Sequence, residues 1–163
     1  MKLARPPLFL LLALAVGAVA LFVRLAALDR LPLDYDEPVY LGMAQRYAEW
    51  LNEGDIRAIV NYDFNYEHPP LSKLAYAIAI RHQSSAPLLP EIDSTKPRDL
   101  EQKRAMPQPQ FDIARRVAAA FGTLQVFVLA LVDPLGALLL AISTWQIKYT
   151  SQIMLEPLPG LLS

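Results

Sequence analysis

Cysteine is absent from the 163 residues. That excludes a disulfide framework and any thiolate metal site, and it leaves the redox compartment open. An excess of charge is missing too, since 15 Lys and Arg stand against 16 Asp and Glu. The chain therefore has no basic footprint for nucleic acid. What is present is apolar: hydrophobic residues make up 54% and charged residues 19%. This is apolar for a soluble domain and moderate for a polytopic membrane protein.

Lys2 and Arg5 precede an uncharged run from Pro6 to Val23, about 18 residues or roughly 27 Å as a helix, close to the hydrocarbon thickness of a bilayer. A transmembrane anchor reaching Leu28, past Arg24, is one reading. The other is a cleaved signal peptide, with Lys2 and Arg5 as its basic region and Ala18-Val19-Ala20 as a small-residue cleavage site. The run continues beyond the usual length of a signal core, about 7 to 15 residues, which favours the anchor.

From Asp29 to Gln110 the chain is polar or mixed. Asp36 or Glu37 can cap a helix that starts at Pro38, where the missing N–H of proline costs nothing, and Gly54 is a natural stop. Tyr40, Met43, Ala44, Tyr47 and Leu51 recur at helical spacing opposite Gln45, Arg46, Glu49 and Asn52. Such a helix can lie on a bilayer surface, with Tyr40, Tyr47 and Trp50 at headgroup level, or pack on its own domain. Five prolines between Gln83 and Gln110 (Pro87, Pro90, Pro97, Pro107 and Pro109) mark a loop or insertion.

The expected fold is all-α and polytopic. It has a first transmembrane helix over 1–28, and an outer loop over 29–110 with interfacial helices and a Pro-rich insert. A second transmembrane helix follows over 111–132, then a shortened third over 134–155 and the start of a second outer loop over 156–163. Val117 to Ile147 offers about 31 residues where two full spans need about 40, hence the shortening. With a cytoplasmic N-terminus, Asp36, Glu37, Glu67, His68 and Glu156 fall on one outer side, although Arg115 and Arg116 at that side run against the positive-inside tendency.

Two stretches carry candidate chemistry. Asp36-Glu37 precede a helix whose N-terminal dipole favours negative charge, so an ionised carboxylate there can accept a proton or hold a cation. The bland reading makes one a cap and the other a solvated group. Glu67-His68-Pro69-Pro70 adds an acid and a titratable ring on a backbone stiffened by two prolines. Its bland reading is a rigid loop before a helix beginning near Leu71.

Taken together, Asp36-Glu37-x-x-Tyr40, His68-Pro69-Pro70-Leu71-x-Lys73 and Tyr149-x-Ser151-x-x-x-Leu155-Glu156 resemble the N-terminal part of polyprenyl-phosphate-sugar-dependent glycosyltransferases of the GT-C fold. The resemblance is to glycosyltransferase family 39 and its relatives, such as protein O-mannosyltransferases and lipid A aminoarabinose transferases. It implies hexosyl or pentosyl transfer from a polyprenyl-phosphate-linked sugar to a hydroxyl of an acceptor protein or lipid, in the cell membrane with the catalytic side outward. By position, Asp36 is the implied base with Glu37 beside it. Tyr40, Glu67, His68, Lys73 and Glu156 are implied around the donor phosphate and substrate. Glu156 stands where an aspartate is usual. The resemblance makes no cofactor certain, and it leaves open a divalent metal at Glu67. Members of the group are several times longer, so the expectation is an N-terminal portion with half an active site, inactive by itself. The alternative is a non-catalytic membrane remnant or a partner subunit that binds lipid phosphate.

Overall fold

The computed structural model describes residues 6–62, 70–83, 106–155 and 157–162. Among these, eight α-helices and no strand are found: α1 Pro6–Leu28, α2 Glu37–Glu53, α3 Ile56–Asn61, α4 Pro70–Ile80, α5 Gln108–Ala130, α6 Pro134–Ile142, α7 Thr144–Thr150 and α8 Pro157–Leu162. The all-α expectation holds for the described residues.

Helices α1 and α5 are each 23 residues long, about 34 Å. Both are long and apolar enough to cross a membrane. They run antiparallel, since Gly17 of α1 abuts Phe127 of α5 while Arg115, near the start of α5, bonds the Leu28 carbonyl at the end of α1. Small side chains make the close approach feasible. Ala13, Val16 and Ala20 pack with Val126 and Ala130 of α5 and with Ala137 and Ala141 of α6, a composition typical of helix contacts in lipid.

Helix α5 begins ahead of the expected 111, because Pro109 fits the first helical turn where no intrahelical N–H bond is lost. The apolar stretch expected as one shortened span over 134–155 is instead two short helices. Ser143 is extended (φ −61°, ψ 119°), and its hydroxyl accepts from the Gln146 N–H, capping α7 and interrupting the helical ladder. Nine residues of α6 reach only about 14 Å.

The apolar stripe of α2 faces protein. Tyr40, Met43, Ala44 and Tyr47 join one core with Tyr76, Ala77 and Ile80 of α4, with Phe111 and Ala114 of α5 and with Ile153 to Leu155. Of the two readings of α2, packing on its own domain is the observed one, and this corrects the expectation that its apolar face lies on a bilayer. The stripe is spent inside the molecule. Gly54 ends the helix at φ 76°, a left-handed conformation that glycine adopts without Cβ strain.

Candidate functional site

Where α1 ends, the chain turns through Asp29–Asp36 and enters α2 at Glu37. Asp36 occupies the cap position, but its carboxylate makes no cap bond to the helix. Glu37 turns inward and is fully buried. Its Oε1 accepts from Arg115 Nε at 2.8 Å and from the Ile153 N–H at 2.8 Å, and its Oε2 accepts from Arg115 Nη2 at 2.6 Å and from the Asp34 N–H at 2.8 Å. The remaining Arg115 donors reach the carbonyls of Leu28, Leu31 and Pro32. All five guanidinium N–H groups are thereby engaged. A buried charge pair is tolerable only when its leftover valences are filled in this way, and here the filling is done by the backbone of the α1–α2 turn.

The same knot holds a second strand of chain. Residues 151–155 form no regular helix, yet every one of them is buried. Buried irregular backbone needs partners, and side chains from distant elements supply them. Besides the Glu37 bond to the Ile153 N–H, Ser72 Oγ donates to the Leu155 carbonyl at 2.8 Å, and the Tyr76 hydroxyl donates to the Met154 carbonyl. Gln152 Nε2 donates to the Pro32 carbonyl at 3.0 Å, sharing that acceptor with Arg115. Three sequence-remote stretches, the start of α2, the start of α4 and residues 151–155, are therefore bonded together at one end of the α1–α5 pair.

Of the residues singled out by sequence, Asp36 is half-buried at this corner, Tyr40 is buried on α2 and Lys73 is buried on α4. Glu67, His68 and Glu156 lie outside the described residues. Among the described residues no group of three or more His, Asp or Glu can hold a metal ion, and the metal option at Glu67 falls outside them. A cleft of about 270 Å³ beside the knot is lined by Leu25, Leu28, Asp29, Asp112, Arg115 and Arg116. Because Arg115 is saturated, Arg116 is the exposed cation on this wall.

No protein-family model, no curated protein and no solved structure matches the chain.

Sequence reasoning missed Arg115, Ser72, Tyr76 and Gln152. Arg115 was legible only as a charge flanking an apolar run. Its partner lies 78 residues away, and no local pattern announces such a pairing. Trp50, Tyr47 and Tyr62 form an aromatic cluster at the far end of α2, with centroids 5.1 to 6.2 Å apart. Burial first, and then the neighbouring Tyr62, raise the Tyr47 hydroxyl above its ordinary pKa.

Proposed function

We propose that the chain is a multi-pass part of a cell-membrane glycosyltransferase that moves a sugar from a polyprenyl-phosphate donor to an acceptor hydroxyl on the outer face. The observation that carries the reading is the meeting of the three motif-bearing stretches. Glu37 bonds Ile153, and Ser72 of α4 bonds Leu155, so residues scattered over more than a hundred positions share one corner. The membrane placement is supported by the surface of the helices. Leu11 (62% exposed), Phe22 (72%), Leu135 (69%) and Leu139 (61%) belong to a belt of exposed apolar side chains on α1 and α6, the kind of surface that a membrane covers. The charged corner lies at one end of that belt, at the level that the headgroups of a bilayer would occupy in this reading.

The chemistry follows from the parts. The Asp36 carboxylate takes the proton of the acceptor hydroxyl as its oxygen attacks the anomeric carbon. The bond from that carbon to the phosphate oxygen breaks, polyprenyl phosphate leaves with the electron pair, and the configuration inverts. Phosphate is a good leaving group, so no carboxylate nucleophile is needed, unlike in retaining glycosidases. In this reading Glu67, His68, Lys73 and Glu156 serve the donor phosphate, with cationic help from protonated His68. Tyr40, implied at the substrate by the resemblance, is buried in the core behind the corner and supports it from within, and Glu37 acts by fixing the corner that presents Asp36.

A photoreactive polyprenyl-phosphate sugar tests the reading. Crosslinks are expected within residues 36–40, 66–76 and 149–156, competed by polyprenyl phosphate and not by the parent polyprenol. Crosslinks spread over the apolar belt, equally competed by both lipids, would overturn it.

A further inference from the structure

The cleft between the end of α1 and the start of α5 has no part in the transfer chemistry proposed above. Its volume is about 270 Å³, and Leu25, Leu28, Asp29, Asp112, Arg115 and Arg116 line it. That is just below the size of drug-sized pockets, roughly 300–1,000 Å³, so it suits one small polar group. Arg115 brings no spare charge, because Glu37 neutralises it. Two carboxylates, Asp29 and Asp112, and one guanidinium, Arg116, remain on the wall. Asp112 and Arg116 are exposed and stand four residues apart on α5, a spacing at which a helix can join opposite charges. Among the described residues, however, neither belongs to an ion pair. Both charges are open to a ligand.

The order of the groups along the helices narrows what that ligand is. Asp112 is nearer the start of α5, and Arg116 lies about 6 Å further along it, towards the middle of the α1–α5 pair. On the other wall Asp29 follows the last residue of α1, and Leu25 is set back inside the helix. Beyond the cleft, exposed positions include Ala120, Leu124 and Val128 on α5 and Leu21 on α1. From the end inward, the surface runs from carboxylate to guanidinium to hydrocarbon.

A membrane lipid with an ethanolamine headgroup carries the complementary series: a primary ammonium outermost, a phosphodiester next and acyl chains beneath. Its ammonium has three N–H donors for carboxylates, and its phosphodiester can accept a two-pronged bond from arginine. A choline headgroup presents the same charges without an N–H donor. A glycerol headgroup has no cation and sets its negative charge against two carboxylates.

We infer that this cleft holds the headgroup of a phosphoethanolamine lipid, with the ammonium on Asp29 and Asp112 and the phosphodiester on Arg116. The inference rests on the membrane-spanning reading of α1 and α5 and is independent of sugar transfer.

Melting of the full chain in an uncharged sugar-based detergent tests it, with dioleoyl lipids bearing ethanolamine, choline or glycerol headgroups added at equal concentration. The wild type is expected to melt about 2 °C or more higher with the ethanolamine lipid than with either of the others. Arg116→Gln and Asp112→Asn, both at exposed positions where substitution leaves folding nearly unchanged, should each lose most of that difference. Arg46→Gln, exposed on α2 and outside the cleft lining, should keep it. Equal melting of the wild type in all three lipids overturns the inference, as does a difference that survives intact in both cleft variants. A gain with the glycerol lipid alone, lost in Arg116→Gln, also overturns it, since the site then reads phosphate without the ammonium. If the chain stays with the membrane pellet after alkaline carbonate and still shows no ethanolamine preference, the site falls and the spans stand. Release into the supernatant removes both.

Discussion

Glu37 and Arg115, 78 residues apart, close on each other in a two-pronged ion pair with Oε1–Nε at 2.8 Å and Oε2–Nη2 at 2.6 Å. Both side chains are out of water. The pair ties the exit of α1, the entry of α2, the first turns of α5 and the buried stretch at Ile153 into one unit. Asp36, next to Glu37 and half-buried, is held in place by that unit.

Removing either member leaves a buried charge without its partner. Glu37→Gln and Arg115→Met are each expected to cost about 3–5 kcal/mol, read as lowered melting in detergent. The double variant should cost clearly less than the sum, because the second substitution removes the charge that the first exposed. Strict additivity would mean that the two side chains do not stabilise each other.

Gly122 and Gly17 both lie in helix interiors, where alanine would gain about 1 kcal/mol from propensity. A Cβ at Gly122 would stand 2.3 Å from Thr150 Cβ, whereas one at Gly17 would meet the edge of the Phe127 ring at 3.3 Å. The first clash is with an atom next to the backbone, the second with a ring that can turn. Gly122→Ala should therefore destabilise by about 1–3 kcal/mol, and Gly17→Ala should be neutral or stabilising. Equal melting temperatures for the two variants would contradict the packing described for α5 and α7.

The apolar belt of α1, α5 and α6 predicts that the chain stays with the membrane pellet after extraction with alkaline carbonate. Full release into the supernatant would refute a membrane-spanning α1–α5 pair.

Tyr47 supplies a pH dependence. Its folded pKa is raised by burial and then by Tyr62, so at alkaline pH the folded state holds the phenolic proton longer than the unfolded one. The associated stability is intact below about pH 10 and is lost as pH rises through the folded value. Melting temperature should decline across this alkaline window, and Tyr47→Phe should flatten the decline.

Local chemistry was legible in the sequence, and long-range pairing was not. Gly54 announced the end of α2 because glycine is at ease at its φ of 76°. Helical spacing found the stripe Tyr40, Met43, Ala44 and Tyr47, but a bilayer and a protein core ask for the same apolar face, so spacing could not say which would cover it. Ser143 gave no warning of a break, because the apolar run from Pro134 to Ile147 continues on both sides and a single hydroxyl capping α7 decides the matter. At the site, the acidic pair stood out as a pair. The division between a half-buried Asp36 and a fully buried Glu37 arises from Arg115, Ile153 and Asp34, which only the folded chain brings together.

Sugar transfer in purified membranes carrying the chain tests the central claim most directly, with a labelled polyprenyl-phosphate sugar as donor and a hydroxyl-bearing protein or lipid as acceptor. The account predicts that Asp36→Asn abolishes transfer while donor crosslinking persists. Normal turnover in Asp36→Asn would contradict the assignment of the base, and no donor crosslinking to wild-type membranes would contradict the transferase reading itself.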